Sequence, residues 1–247
     1  TVYPRQVNIR GFELMLQNLW GENIVADSLL EDPFLMRGIR EYQTYDSPKT
    51  INWAATARTS GMKVNLLERS TSCKAYVFLN LKKENLSVHN DVLEESIRLA
   101  KTFCHYFSSR EIPSALFSNG TNGRNKDLLC VRKCQVGAEY LNRIDETLLD
   151  IRLEETKGSY LYDESWEQTD FLECYAAEMQ RLAGDGIVVL ISSCQDEAVQ
   201  KYMLDLKRQG GSFLWVIPVG HMTEYRQMPL LRDRTYVWRM NYEVKKK

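Results

Sequence analysis

From residue 74 onward, apolar runs of strand length alternate with stretches whose apolar residues recur every three or four positions. This alternation constrains the fold more than any other feature. KAYVFLNL (74–81), GIVVLIS (186–192) and FLWVIPVG (213–220) are almost continuously apolar. A strand with one wet face would alternate apolar with polar, so these runs predict strands covered on both faces, as in a parallel sheet. Between them, Val92, Leu93, Ile97, Ala100, Phe103, Cys104 and Phe107 form a stripe of helical period. Asp91, with Glu94 three residues later, predicts its N-cap and capping box. Leu141, Ile144, Leu148 and Ile151 predict a helix over about 138–155, and Phe171, Tyr175, Met179 and Leu182 one ending near Gly184. Val199, Met203 and Leu206 predict another over about 196–208, closed by Gly210 and Gly211. PSALFSNG and LLCVRKCQVG flank a Gly/Asn-rich turn and read as an antiparallel hairpin, while TYVWRMNYEV alternates like an edge strand. The expected fold class is α/β: a mostly parallel, doubly wound sheet with helices on both faces.

In such sheets ligands lie at the carboxyl ends of the strands, near the switch in strand order. Here LNLKKEN and ISSCQDE should flank that crevice. They bring Lys82, Glu84 and Asp196, and the loop after VIPVG adds His221. These groups support one reading of the chain, as a ligand-binding protein or enzyme with an unconventional strand-end crevice. Against catalysis, there is no G-x-S-x-G elbow, and no Cys or Ser comes with a nearby His and carboxylate. GTNGR lacks the Lys-Ser/Thr ending of a phosphate loop. The sequence therefore predicts no catalytic constellation, no enzyme and no cofactor.

A net charge of −1 argues against a nucleic-acid binder, and the closing VKKK reads as a solvated tail. None of the six cysteines makes a C-x-x-C pair, which predicts buried free thiols in a reducing, cytoplasmic compartment. No run approaches the roughly 20 apolar residues of a membrane helix. No secretory leader opens the chain, although it begins without methionine. Residues 1–73 differ from the rest: apart from a short helix expected over 12–20, they are irregular and rich in charge and aromatics. No linker separates them from residue 74, so they are expected to pack on the 74–247 core.

The most individual stretch lies within that first part. Arg40-Glu41-Tyr42, Asp46, Ile51-Asn52-Trp53 and Ala57-Arg58 follow one another over about 30 residues. In this order they resemble the signature of the domain-of-unknown-function 58 family, with Tyr45 departing from the glycine usual before the aspartate. The resemblance implies a bacterial protein with a von Willebrand factor A-like domain carrying the signature segment. It implies a non-catalytic interaction module whose partner is a MoxR-type AAA+ ATPase or a membrane-associated assembly. Longer relatives carry two membrane helices before the soluble part, so membrane contact is expected only through such an anchor, at the cytoplasmic face. Within the signature, Arg40, Glu41, Asp46 and Arg58 are expected to form an ion-pair lattice with Trp53 as its buried anchor; exposed parts of Tyr42 or Trp53 would serve recognition.

The resemblance also sets a test for metal. A von Willebrand A-type site uses D-x-S-x-S after the first strand, since carboxylate and hydroxyl oxygens suit Mg²⁺. The corresponding positions here are Asn80, Lys82 and Glu84, and the later loop offers Ser192-Ser193-Cys194 where a Ser-Asp pair is expected. An amide has replaced the first carboxylate, and an ammonium has replaced a neutral donor. No conventional metal site is expected.

Overall fold

In the computed structural model of the chain, the residues described are 15–16, 36–43, 48, 51–59, 61–67, 74–82, 90–121, 127–151, 170–220, 225–226 and 228–240. The chain divides into two compact units, one of Glu22–Ser72 and one of Thr1–Gly21 with Cys73–Lys247.

The larger unit is built on a six-stranded sheet. Its strands are β3 (Lys74–Asn80), β4 (Ser114–Ser118), β5 (Val131–Gln135), β6 (Gly186–Ser192), β7 (Phe213–Val219) and β8 (Thr235–Arg239). Their order is β5-β4-β3-β6-β7-β8, and all pairs are parallel except β4 with β5. The chain thus starts in the middle, builds outward to one side and then returns to build the other. The switch in direction lies between β3 and β6.

Among the described residues, four helices with defined bounds cover the sheet: α2 (Asn90–Ser109), α3 (Ala138–Asp150), α4 (Phe171–Leu182) and α5 (Glu197–Arg208). Strand periodicity decides which face each serves. Val77, Leu79, Val189, Ile191, Leu214 and Val216 point to one side, where they join Phe103, Phe107 and Ile144 of α2 and α3. Tyr76, Phe78, Val188, Leu190, Phe213 and Trp215 point to the other, against Phe171, Tyr175, Met179, Val199 and Met203 of α4 and α5. A doubly wound, mostly parallel sheet with helices on both faces is what the apolar runs required. Asp91, expected to cap α2, instead lies inside its first turn because the helix begins one residue earlier, at Asn90. Among the described residues no helix is long and apolar enough to cross a membrane.

The smaller unit contains an antiparallel pair, β1 (Met36–Glu41) and β2 (Lys63–Leu67), and a one-turn helix α1 (Trp53–Thr56). Asn52 builds the turn. Its Oδ1 accepts from the Ala55 N–H at 2.8 Å, an N-cap bond, and its Nδ2 donates to Asn65 Oδ1 of β2 at 2.7 Å. The Asn52 N–H donates to Lys63 O, and the Lys63 N–H to Thr56 Oγ1, so α1 is sewn to the hairpin by polar contacts.

Candidate functional site

The candidate site lies at the carboxyl ends of β3 and β6, the strands on either side of the topological switch. At its floor, Asn80 and Ser192 end paired strands and are both fully buried. Asn80 Nδ2 donates to Ser192 Oγ at 3.0 Å, and Asn80 Oδ1 accepts from Asn119 Nδ2 at 3.2 Å and from the Lys82 N–H at 3.0 Å. Asn119 Oδ1 in turn accepts from the Leu81 N–H at 2.8 Å. Ser192 Oγ also accepts from the Cys194 N–H at 3.2 Å. The floor is a closed network of neutral groups joining the ends of β3, β4 and β6. An amide at position 80 uses both its donor and its acceptor here; a carboxylate could only accept and would bury a charge.

Above the floor stands Lys82. Its Nζ lies 2.8 Å from Asp170 Oδ2 and 3.5 Å from Asp196 Oδ2. Each aspartate also caps a helix. Asp170 Oδ1 accepts from the Leu172 N–H at the start of α4, and Asp196 Oδ1 accepts from the Val199 N–H at the start of α5, both at 2.8 Å. The two carboxylates therefore divide their oxygens in the same way, one to a helix N-terminus and one to the ammonium. The hydrogen bond from Lys82 holds Asp170 below the usual carboxylate range, and the same bond raises Lys82 above the usual amine value. Beside them, Cys194 is buried, and burial pushes its thiol up to about 12, far from a reactive thiolate. Ser193 is also buried, and its Oγ has no partner among the described residues.

The structure thus brings together Asn80, Lys82, Asp196 and Ser193, as strand order led us to expect, but with Lys82 and Asp196 engaged to each other. Glu84 and His221 lie outside the described residues. Asp170 was missed: it sits at the end of the aromatic connector KGSYLYDESWEQTD, which carries no periodicity. Its position immediately before the helical run from Phe171 was the signal, since Asp in that place is a strong N-cap.

The signature residues differ from expectation. Trp53 is not a buried anchor: it is 68% exposed. The physical reason is that Asn52 takes the anchoring role through its two polar contacts, and α1 buries none of its residues. Ile39 and Met62 are also exposed, at 46% and 47%. Ile39, Asn52, Ala54, Ala55, Arg58 and Lys63 line a shallow groove of about 450 Å³. The ion-pair lattice takes another form. Glu41 pairs with Lys63 at 3.1 Å across the β1–β2 ladder, and Arg40 Nη1 donates to the Glu41 carbonyl. Arg58 makes no ion pair among the described residues, Tyr42 is half-buried with its N–H on Met62 O, and Asp46 lies outside those residues. The expected cysteine burial also needs correction. Cys104 and Cys194 are buried, but Cys130, Cys134 and Cys174 are half-exposed because they lie on or beside the edge strand β5 and on the flank of α4; all five are free.

No family model matches the chain, and no curated protein or solved structure matches it either.

Proposed function

We propose that this chain is a non-catalytic recognition module of von Willebrand factor A-like type, binding a protein partner through the signature unit. The partner class implied by the resemblance is a MoxR-type AAA+ ATPase or an assembly at the cytoplasmic face of a membrane. The observation that carries the reading is the exposed tryptophan. A 68%-exposed Trp53, next to a groove and accompanied by exposed Ile39 and Met62, is a costly arrangement of apolar surface unless something covers it. Trp is also the residue type most enriched among binding hot spots, and Arg58 on the groove adds a second such type.

The alternative, an enzyme or small-ligand site at the strand ends, would draw on Lys82, Glu84, Asp196 and His221. Of these, Lys82 and Asp196 are already engaged with each other, and Asp196 with a helix cap as well.

The test compares purified wild type with Trp53→Ala against a purified MoxR-type AAA+ ATPase from the same organism. Wild type is expected to bind, and the variant to bind at least about tenfold more weakly, the equivalent of a hot-spot loss. Both proteins should melt together, since so exposed a ring adds little to the packing. Equal binding by both, or binding by neither, overturns the reading.

A further inference from the structure

We infer that Lys82 is a built-in counter-ion: its ammonium clasps the capping carboxylates of α4 and α5 over the end of β3, in the position where a bound cation would otherwise balance them. Three elements distant in sequence meet at one nitrogen. Position 82 follows β3 directly, Asp170 begins α4 and Asp196 begins α5. Without the amine, two carboxylates that both approach the same point would face each other across the crevice. Each would still be held by its cap bond, and neither could turn away without uncapping its helix. The amine therefore does two things. It relieves the repulsion between the caps, and it fills the place with a charge that repels any divalent ion arriving from solution.

The clasp sits on the buried amide floor, and this fixes its geometry. Asn80 Oδ1 accepts from the Lys82 N–H, a turn closed by an asparagine side chain on the backbone two residues on. The lysine stem therefore starts from a set direction instead of searching the crevice. The raised Lys82 and lowered Asp170 titrations agree with the same contact seen from its two ends. This inference concerns the strand ends of the larger unit and stands independently of the partner proposed for the signature unit.

The experiment measures melting temperature, with and without millimolar Mn²⁺, for wild type, Lys82→Ser, Lys82→Arg and the triple variant Lys82→Ser/Asp170→Asn/Asp196→Asn. Asparagine caps a helix about as well as aspartate, so the triple variant removes the charges and keeps the caps. Lys82→Ser is expected to melt lower by about 2–6 °C and to regain part of that loss with Mn²⁺. The triple variant should melt above Lys82→Ser and ignore Mn²⁺, while wild type and Lys82→Arg should also ignore it. If Lys82→Ser does not fold, the triple variant still should. A triple variant melting below the single one, a single one melting with wild type, or a wild type stabilised by Mn²⁺ overturns the clasp.

Discussion

Asn80 carries the chemistry of the crevice floor, because one side chain closes three hydrogen bonds with no charge. Replacing it by aspartate changes almost no volume but removes the donor to Ser192 and buries a carboxylate. Asn80→Asp is expected to cost about 2–4 kcal/mol at neutral pH, the range for an unpaired buried polar group and more if the group stays ionised. The loss should shrink on acidification as the carboxyl gains a proton it can donate. Urea melts of both proteins at two pH values check it, and equal loss at both would rule out burial of charge as the cause. The Lys82–Asp170 pair makes a second pH statement. Asp170 is lowered in the folded state, so its contribution is present above the ordinary Asp value of about 4 and is lost as pH falls through the lower folded value. Lys82 is raised, so its contribution is present below the ordinary Lys value of about 10.4 and is lost as pH rises through the higher folded value. Wild type should therefore gain stability over Lys82→Met across the whole range between those limits, with the difference closing at both extremes; a difference that closes near pH 7 would contradict it. Part of this was legible in the sequence: Asn80 and Lys82 end and follow the first core strand, where strand order puts a candidate site. The aspartate opposite was not, because nothing local says which distant helix cap an amine will reach. Trp53 failed for a related reason, since the segment Ile51-Asn52-Trp53 does not reveal which of its three side chains stays exposed.

Elements are held in register here by contacts that residue type alone hides. Gly186 opens β6 opposite Lys74 of β3, and a Cβ there would lie 2.3 Å from the Lys74 carbonyl oxygen, within backbone that cannot swing aside. In the sequence it reads only as the first residue of an apolar strand; in the sheet its missing side chain leaves room for the Lys74 backbone. Gly186→Ala is expected to cost about 1–3 kcal/mol, as overpacking does, or more if the pair must part. Substituting Gly38, whose added Cβ would meet nothing within 4 Å, should cost much less. Thermal melts of the two variants decide between packing and chain entropy as the cause. A second joint lies between α2 and α3. Asp145 of α3 accepts from Lys101 Nζ at 2.8 Å and lies 3.1 Å from His105 Nε2, both on α2, and Lys101 is buried. Removing the carboxylate takes one charged partner from a buried ammonium, so Asp145→Ala should destabilise by about 2 kcal/mol, more than the loss of an exposed pair such as Arg143–Glu139. Comparing Asp145→Ala with Glu139→Ala by chemical denaturation gives the answer. Both helices were legible from their apolar spacing, within a residue or two at each α2 end. Their joint was not, because Lys101, His105 and Asp145 each look like solvated positions until the two helices are placed side by side.

At the scale of the whole molecule, the two units differ in what holds them. The larger one has apolar layers on both faces of its sheet, and every residue of β7, with all but the first of β3 and β6, is buried. Among the side chains described in the smaller unit Val64 is a buried hydrophobic one, none of α1 is buried, and α1 is tied to the hairpin by hydrogen bonds. Burial of apolar area is the main stabilising term, and polar ties add roughly 1 kcal/mol each at best. The smaller unit should therefore open at lower cost than the sheet. This is the order that the proposed recognition role would require, because a surface that must adapt to a partner is drawn from the less stable end of a structure. Amide hydrogen exchange tests it directly. The slowest amides should fall in β3 and β6, the two central strands, with β4 and β7, which also have a strand on either side, close behind. The edge strands β5 and β8 should exchange faster, and β1, α1 and β2 faster still, by a factor of at least about 100, or nearly 3 kcal/mol of opening free energy. Exchange of β1 and β2 as slow as that of β6 would mean that the two units open together, and the signature unit would then owe its order to the sheet and not to its own hydrogen bonds.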